Sequence, residues 1–196
     1  MIRQGKDTDK ETLMLLWKYC FPQDSDRFIR FYFDKVYVNN ETLIYEEDDQ
    51  PVASLQMIPY QIKIIDSLFC GGYISGAMTH PDYRKKGYMS QLLLASFDEM
   101  INKGYDYTFL IPQEKWLIQI YEKYGFRLCE SSQQFPKNKV LKSSKQWVVI
   151  QQCFFDENHI WLKDEPFFPN EHKGMIKQLN PAAKEITALY MGMMLD

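Results

Sequence analysis

The sequence is poor in what a metal centre or a disulfide framework needs. Its 196 residues carry four widely spaced cysteines, Cys20, Cys70, Cys129 and Cys153, with no C-x-x-C pair, and three histidines, His80, His159 and His172. No H-E-x-x-H and no cysteine–histidine cluster of ligand spacing occurs, so no metal site is expected. The cysteines read as reduced, buried, small apolar residues. A basic excess is also missing: the formal net charge is −3 and the pI is near 5.7. That excludes a surface gripping nucleic acid throughout, while leaving room for a local basic patch. No apolar run approaches the ~18 residues of a membrane span, and the opening MIRQGKDTDKETL is too polar for a secretory core. A cytoplasmic protein with no membrane partner is the expectation.

Two phosphate-binding signatures are absent as well. There is no G-x-x-x-x-G-K-[ST]: Gly71 and Gly76 have its glycine spacing, but Ala77-Met78 follow where Lys-Ser/Thr is required. Nor does a G-x-G-x-x-G lie between a strand and a helix, so neither a nucleotide triphosphatase nor a dinucleotide fold is supported. Repeats and low-complexity linkers are missing too, and the length suits one domain.

What is present is ample core material, 45% hydrophobic and 15% aromatic residues, arranged with clear periods. Thr8 to Tyr19 carries Leu13, Leu16 and Trp17 at helical spacing, with Thr8 or Asp9 as N-cap candidates. Asp24 to Tyr37 reads as a second helix with Phe28, Phe31 and Tyr32 on one face. Thr42–Tyr45 and Pro51–Ile65 read as a hairpin around the acidic tract Glu46–Asp49, taken as a solvated turn, with Pro59 implying an edge or a bulge. Ser67–Thr79 reads as a strand whose glycines permit close backbone approach or bulges. Gly87–Lys103 reads as a helix closed by Gly104, Tyr105–Ile111 as a strand, and Glu114–Tyr124 as a short helix ending at Gly125. Strands from Phe126 and over Gln146–Phe155, a loop over 156–172 and a helix over Pro181–Met194 complete the expectation. The unit from 68 to 111 should pair its strands in parallel.

The chemistry concentrates in Thr79 to Met89, THPDYRKKGYM. Arg84, Lys85 and Lys86 stand at a helix N-terminus, the wrong end for cations unless an anion is present. The first N–H groups of that helix lack internal partners, and Gly87 lets a phosphate approach without a Cβ in the way. A solvated basic turn would look similar on this pattern alone.

The order of elements, with THPDYRKKGYM before an amphipathic helix and IYEKYGF one strand and one helix later, resembles the GNAT superfamily of acyl-CoA-dependent N-acyltransferases across residues 1 to 130. The pairing of RKKGYM with IPQE and IYEKYGF is most similar to the enhanced-intracellular-survival-type branch, whose members are much longer. The family's pyrophosphate loop, Arg/Gln-x-x-Gly-x-Gly/Ala, is matched by Arg84, Lys85, Lys86, Gly87 and Tyr88, with Met89 where the last small residue belongs.

The resemblance implies an α+β fold, a mostly antiparallel mixed sheet with a splayed parallel strand pair flanked by helices, as one domain over 1–196. In it 1–130 would form the acyl-CoA-binding core and 131–196 complete the fold. It also implies acetyl-CoA as acyl donor, its pyrophosphate on the N–H groups of Lys85 to Met89, its pantetheine between strands ending at Thr79 and Ile111, and an oxyanion-stabilising N–H near Met78. Tyr121 falls where many members carry a tyrosine that protonates the departing thiolate. With free pKa values of about 10 and about 8.5, full transfer is uphill by roughly 2 kcal/mol, so a hydrogen bond or concerted transfer is expected. Leu117, Tyr121 and Tyr124 also share a helical face, which would make Tyr121 a core residue instead.

Many members place a glutamate on the strand before the loop, but Ser67–Thr79 holds no carboxylate or histidine. Deprotonation of the amine through water is the default, and the C-terminal carboxylate of Asp196 is a candidate by likeness to the survival-type branch. The implied activity is transfer of an acetyl group to an amine by direct attack on the thioester. The alternative is a non-catalytic CoA-binding or protein-interaction module, motivated by the missing base and the Met-rich tail Met191–Met194. The acceptor stays open between small-molecule and protein amines. Glu46–Asp49 and Glu114 could attract a cationic amine, Tyr73, Phe109 and Trp116 could line its pocket, and a homodimer is possible.

Overall fold

The computed structural model describes residues 1–64, 67–128, 130–131, 147–152, 174–183 and 188–191. Its strands form a mixed sheet flanked by helices, as the sequence implies. The chain divides into two compact units, residues 1–58 with 73–103, and 59–72 with 104–196.

In the first unit, β1 (Ile2–Gln4) pairs antiparallel with β2 (Thr42–Glu47), which pairs antiparallel with the first part of β3 (Gln50–Ile64). The β2–β3 turn is only Asp48–Asp49, both at positive φ (50° and 58°), the geometry of a two-residue type I′ hairpin. Half of the acidic tract is therefore strand and not turn. Glu46 accepts from Arg3 at 2.8 Å, and Arg3 also holds Asp9 at 2.7 Å. Asp9 stands at the N-cap position of α1 without capping it through its side chain: its carboxylate instead takes the Lys6 N–H at 2.7 Å, at the start of the 3₁₀ turn Asp7–Asp9, and the Arg3 guanidinium.

Helix α1 (Lys10–Cys20) buries Leu13, Leu16 and Trp17, and α2 (Asp26–Lys35) starts at Ser25, whose hydroxyl accepts the Phe28 N–H. The buried face of α2 is Ile29, Tyr32 and Phe33, shifted from the expected Phe28–Phe31–Tyr32 stripe, because the face is set by Trp17. The Trp17 ring lies 4.5 Å from Tyr32 and 5.8 Å from Phe33, while its N–H donates to Asp24 at 2.7 Å. The strand β4 (Ser67–Thr79) bends at Gly76, where φ is +54° and a Cβ would stand 2.8 Å from the Trp17 ring. Only glycine fits both the left-handed backbone and that close approach. Helix α3 (Tyr88–Asn102) then buries Leu92, Leu93, Ser96, Phe97 and Met100, with Gly104 at positive φ beyond its end. Ile101 lies off that face and is 51% exposed.

In the second unit, the first part of β4 pairs in parallel with β5 (Tyr107–Leu110), and the Thr108 hydroxyl donates to the Gly72 carbonyl at 3.0 Å. A strand not foreseen, β9 (Met175–Gln178), pairs antiparallel with β5 and with β6 (Arg127–Leu128). Between β5 and β6 lies α4 (Lys115–Glu122), with Gly125 at φ +86° after it. The remaining strands are β7 (Glu130–Ser131), β8 (Trp147–Gln152) and β10 (Ala188–Met191).

Pro59 lies inside an unbroken β3, between the residues paired to β2 (50–56) and those paired to β8 (60–64), so on that side it stands at a local edge, where the missing N–H costs little. The expected helix over Pro181–Met194 is contradicted by β10, which pairs parallel with β8 and β7. Ala, Leu and Met favour a helix locally, but sheet partners override a propensity of a few tenths of a kcal/mol per residue. The expected loop over 156–172 lies outside the described residues.

Candidate functional site

The end of β4 leads into the loop of interest. Ser75, Gly76 and Ala77 are all half-exposed, breaking the in-out alternation of a strand, and Met78 is buried again. The His80 N–H donates to the Val52 carbonyl at 2.9 Å, and a short 3₁₀ turn, Pro81–Tyr83, follows. The Thr79 carbonyl, half-buried at the strand end, accepts from Arg84 Nε at 3.2 Å and from the Cys20 thiol at 3.4 Å. Arg84 is thereby folded back along the strand end.

Lys85 and Gly87 both occupy the left-handed region, at φ +64° and +81°. A left-handed residue followed by right-handed helical ones aims successive N–H groups to one side, the concavity that holds anions. The first intrahelical bond of α3 runs from Gln91 N–H to the Gly87 carbonyl at 3.1 Å. The N–H groups of Tyr88 and Met89 precede it, at the positive end of the helix dipole. No heavy atom lies within 4 Å of where a Gly87 Cβ would stand, so the approach to those groups is open. Met89 is half-buried, so a large residue is accommodated where the family pattern has a small one.

The three cations are not equivalent. Lys86 is bound to Glu47 at 3.3 Å and lies over the Tyr83 ring at 4.7 Å. Arg84 and Lys85 are exposed, and neither has an ion-pair partner among the described residues. Tyr88 donates its hydroxyl to Glu47, which pushes the phenol up to about 12 and holds the Glu47 carboxyl below its ordinary range. The sequence reading gives Glu47 as part of an acidic turn that could attract a cationic amine; its place beside the loop comes from the hairpin register, which the sequence pattern does not display.

In the second unit, Tyr121 is on the last turn of α4, half-buried, its ring 5.7 Å from that of the buried Phe126. Its backbone carbonyl accepts from the N–H groups of Tyr124 and Phe126 at 2.9 and 3.3 Å, closing the helix. Among the described residues the Tyr121 hydroxyl has no hydrogen-bond partner, and burial raises its pKa. It is a protonated phenol with a donor to spare. Lys177 on β9 donates its ammonium to the Tyr124 carbonyl at 2.6 Å, a cation at the negative end of α4.

Other expected positions fare differently. Tyr73 and Phe109 are buried at 4% and 0% exposure, which removes them as lining of an open pocket, whereas Trp116 is 62% exposed. Cys70 is exposed and Cys20 half-buried, against the expectation of buried thiols. Asp196 lies outside the described residues. Among the described residues no group of three or more His, Cys, Asp or Glu could hold a metal ion, and no helix is long and apolar enough to cross a membrane.

A strand carried through Gly76 at positive φ, a left-handed glycine and an open helix start make up a strand–loop–helix. The chain belongs to the GNAT acetyltransferases: the family model described as an acetyltransferase (GNAT) domain matches residues 1–129. Among solved structures it is similar to the GNAT family N-acetyltransferase YhbS from Escherichia coli in complex with CoA, at 15% identity and TM-score 0.62, covering 96% of this chain and 87% of that one. It is also similar to an acetyltransferase from Streptococcus agalactiae, at 15% identity and TM-score 0.57, covering 91% and 97%. Eis1 from Mycobacterium abscessus is matched at 12% identity and TM-score 0.57, covering 64% of this chain and 31% of that one. The chain spans about a third of the length of several structures it matches, 31–33% for four of them. No curated protein matches it by sequence. At these identities the likenesses speak for the fold.

Proposed function

We propose that the protein is an acyl-CoA-dependent N-acetyltransferase that moves an acetyl group from acetyl-CoA to an amine. The observation that carries this reading is the loop at Gly87, whose left-handed backbone opens the first N–H groups of α3 beside Arg84 and Lys85. Those groups would hold the diphosphate, and the strand end from Ser75 to Thr79 would pair with the pantetheine amides, with the Met78 N–H facing the thioester oxygen. The CoA complex of YhbS supports the same ligand. Likeness to Eis1 supports the survival-type branch no further than the fold.

In this reading the amine attacks the thioester carbonyl, the C–S bond breaks, and the thiolate takes a proton. Tyr121 would supply a hydrogen bond to the departing sulfur. Burial raises its pKa above the ordinary tyrosine value, which makes full proton loss harder than the roughly 2 kcal/mol set by the free values and favours a donor that keeps its proton. With no carboxylate or histidine in β4, deprotonation of the amine through water is the default beside the C-terminal carboxylate of Asp196, and the same absence favours the second reading, a CoA-binding module without turnover.

Calorimetry with CoA and acetyl-CoA tests the ligand, and no binding at millimolar concentration would remove the proposal. Thiol release from acetyl-CoA across a panel of small and peptide amines separates the readings: binding with turnover supports the enzyme, binding without any supports the module.

A further inference from the structure

Both residues flanking Gly87 turn to a single carboxylate outside the loop. Glu47, the last residue of β2, accepts from the Tyr88 hydroxyl and, at 3.3 Å, from the Lys86 ammonium. Tyr88 is the first residue of α3, and its ring stacks on Tyr45 of β2 with centroids 4.0 Å apart and planes 12° from parallel. The Lys86 ammonium also lies 5.8 Å from the centre of the Tyr88 ring, so the carboxylate, the ammonium and the two tyrosine rings form one cluster. The short hairpin turn at Asp48–Asp49 fixes where Glu47 stands relative to this cluster.

A carboxylate beside an anion-binding loop is electrostatically adverse to the anion, so a loop built for phosphate needs a reason to keep one there. Two donors converging on one carboxylate supply it: they tie the residue before Gly87 and the residue after it to a strand distant in sequence. Left-handed segments are costly to maintain unless their surroundings over-determine them. The cost to affinity of a committed Lys86 is borne by Arg84 and Lys85, which are exposed beside the loop.

We propose that Glu47 is a positioning residue of the phosphate loop, acting through Tyr88 and Lys86 to hold the N–H groups after Gly87 toward the diphosphate of an acyl-CoA. This rests on the acyl-CoA reading of the loop. Glu47 touches no ligand in it; its effect passes through the two side chains it holds.

The test is the Kd for CoA by calorimetry on the whole chain, for the wild type and the variants Glu47→Ala, Glu47→Gln, Tyr88→Phe and Glu47→Ala/Tyr88→Phe, with Tm recorded for each. Glu47→Ala should weaken CoA binding about fivefold, the scale of a partly exposed charge-assisted contact, with Tm nearly unchanged. Glu47→Gln should recover much of that loss, since its amide oxygen still accepts from Tyr88. The double variant should bind about as weakly as Glu47→Ala alone, because the two side chains act as one unit. Unchanged or tighter binding by Glu47→Ala would overturn the proposal, showing that the carboxylate only opposes the anion, and so would independent, multiplicative losses in the double variant. If the wild type itself binds no CoA, the acyl-CoA reading falls first and this inference with it.

Discussion

Gly87 allows conformation and charge to be separated at the loop proposed to hold the CoA diphosphate. Its φ is +81° and the space where a Cβ would stand is empty to 4 Å, so a substitution there meets strain without a clash. Gly87→Ala adds only the left-handed penalty, about 1–2 kcal/mol. Gly87→Glu adds the same penalty and a carboxylate at the mouth of the loop. A unit negative charge about 5 Å from a phosphate charge is opposed by about 1–3 kcal/mol, between bulk water and an effective dielectric of about 20. Relative to Gly87→Ala, Gly87→Glu should therefore weaken CoA binding by a further factor of about 5 to 150. Calorimetry at low and high salt is the assay. The gap between the two variants should narrow as salt screens the added charge, while the penalty common to both should persist. Equal Kd values for the two variants at low salt would refute the reasoning, because they would show that no ligand charge faces position 87. Wild-type affinity in both would refute the loop as the binding site altogether.

Tyr121→Phe should lower kcat by about 10- to 100-fold with little change in KM for acetyl-CoA, as expected when a donor acts mainly in the transition state; an unchanged kcat assigns Tyr121 to packing against Phe126. Because burial raises the Tyr121 pKa, kcat should show no alkaline loss from its ionisation below about pH 10, which a pH–rate profile checks. Asp9 is held below its ordinary pKa chiefly by the hydrogen bond from Arg3. A depressed folded pKa gives stability that is present above the unfolded value and lost as pH falls through the folded one, so Tm should drop below about pH 4. Arg3→Met should flatten that drop, and equal acid sensitivity in both proteins would deny the pairing a role. Gly76→Ala must place a Cβ 2.8 Å from the Trp17 ring at φ +54°, and should destabilise by about 2–4 kcal/mol in urea denaturation.

What the sequence displayed was whatever depends on local period and local chemistry. Helix α3 could be placed to within a residue at each end, since a glycine stands at its start, another beyond its end, and the apolar spacing between them is unbroken. The same holds for β4 and for the open loop at Gly87. The missed and misread elements involve pairing at a distance. β1 and β9 are short, and their residues become a pattern only when β2 and β5 lie beside them. The stretch from 188 to 191 has helix-favouring residues and is a strand because β8 and β7 offer it hydrogen bonds. The face of α2 rotated for the same reason, since the position of Trp17 decides it and no periodicity within the helix contains that information.

Glu47 shows how this distinction reaches the candidate site. As sequence it is one acid among several, and a run of acids is ordinarily a solvated turn. The hairpin turn is shorter than the acidic run, so Glu46 and Glu47 are carried into the strand, and each then meets a cation the sequence places far away: Arg3 for Glu46 and Lys86 for Glu47. One of these pairs lies in the sheet and the other beside the loop at Gly87. With Glu46 and Glu47 in the turn, neither acid would face its partner, and Lys86 would lose the carboxylate that holds it. A two-residue difference in turn length thus changes which charges are left for a ligand, and that is why the loop could be located from the sequence while the division of labour among Arg84, Lys85 and Lys86 could not.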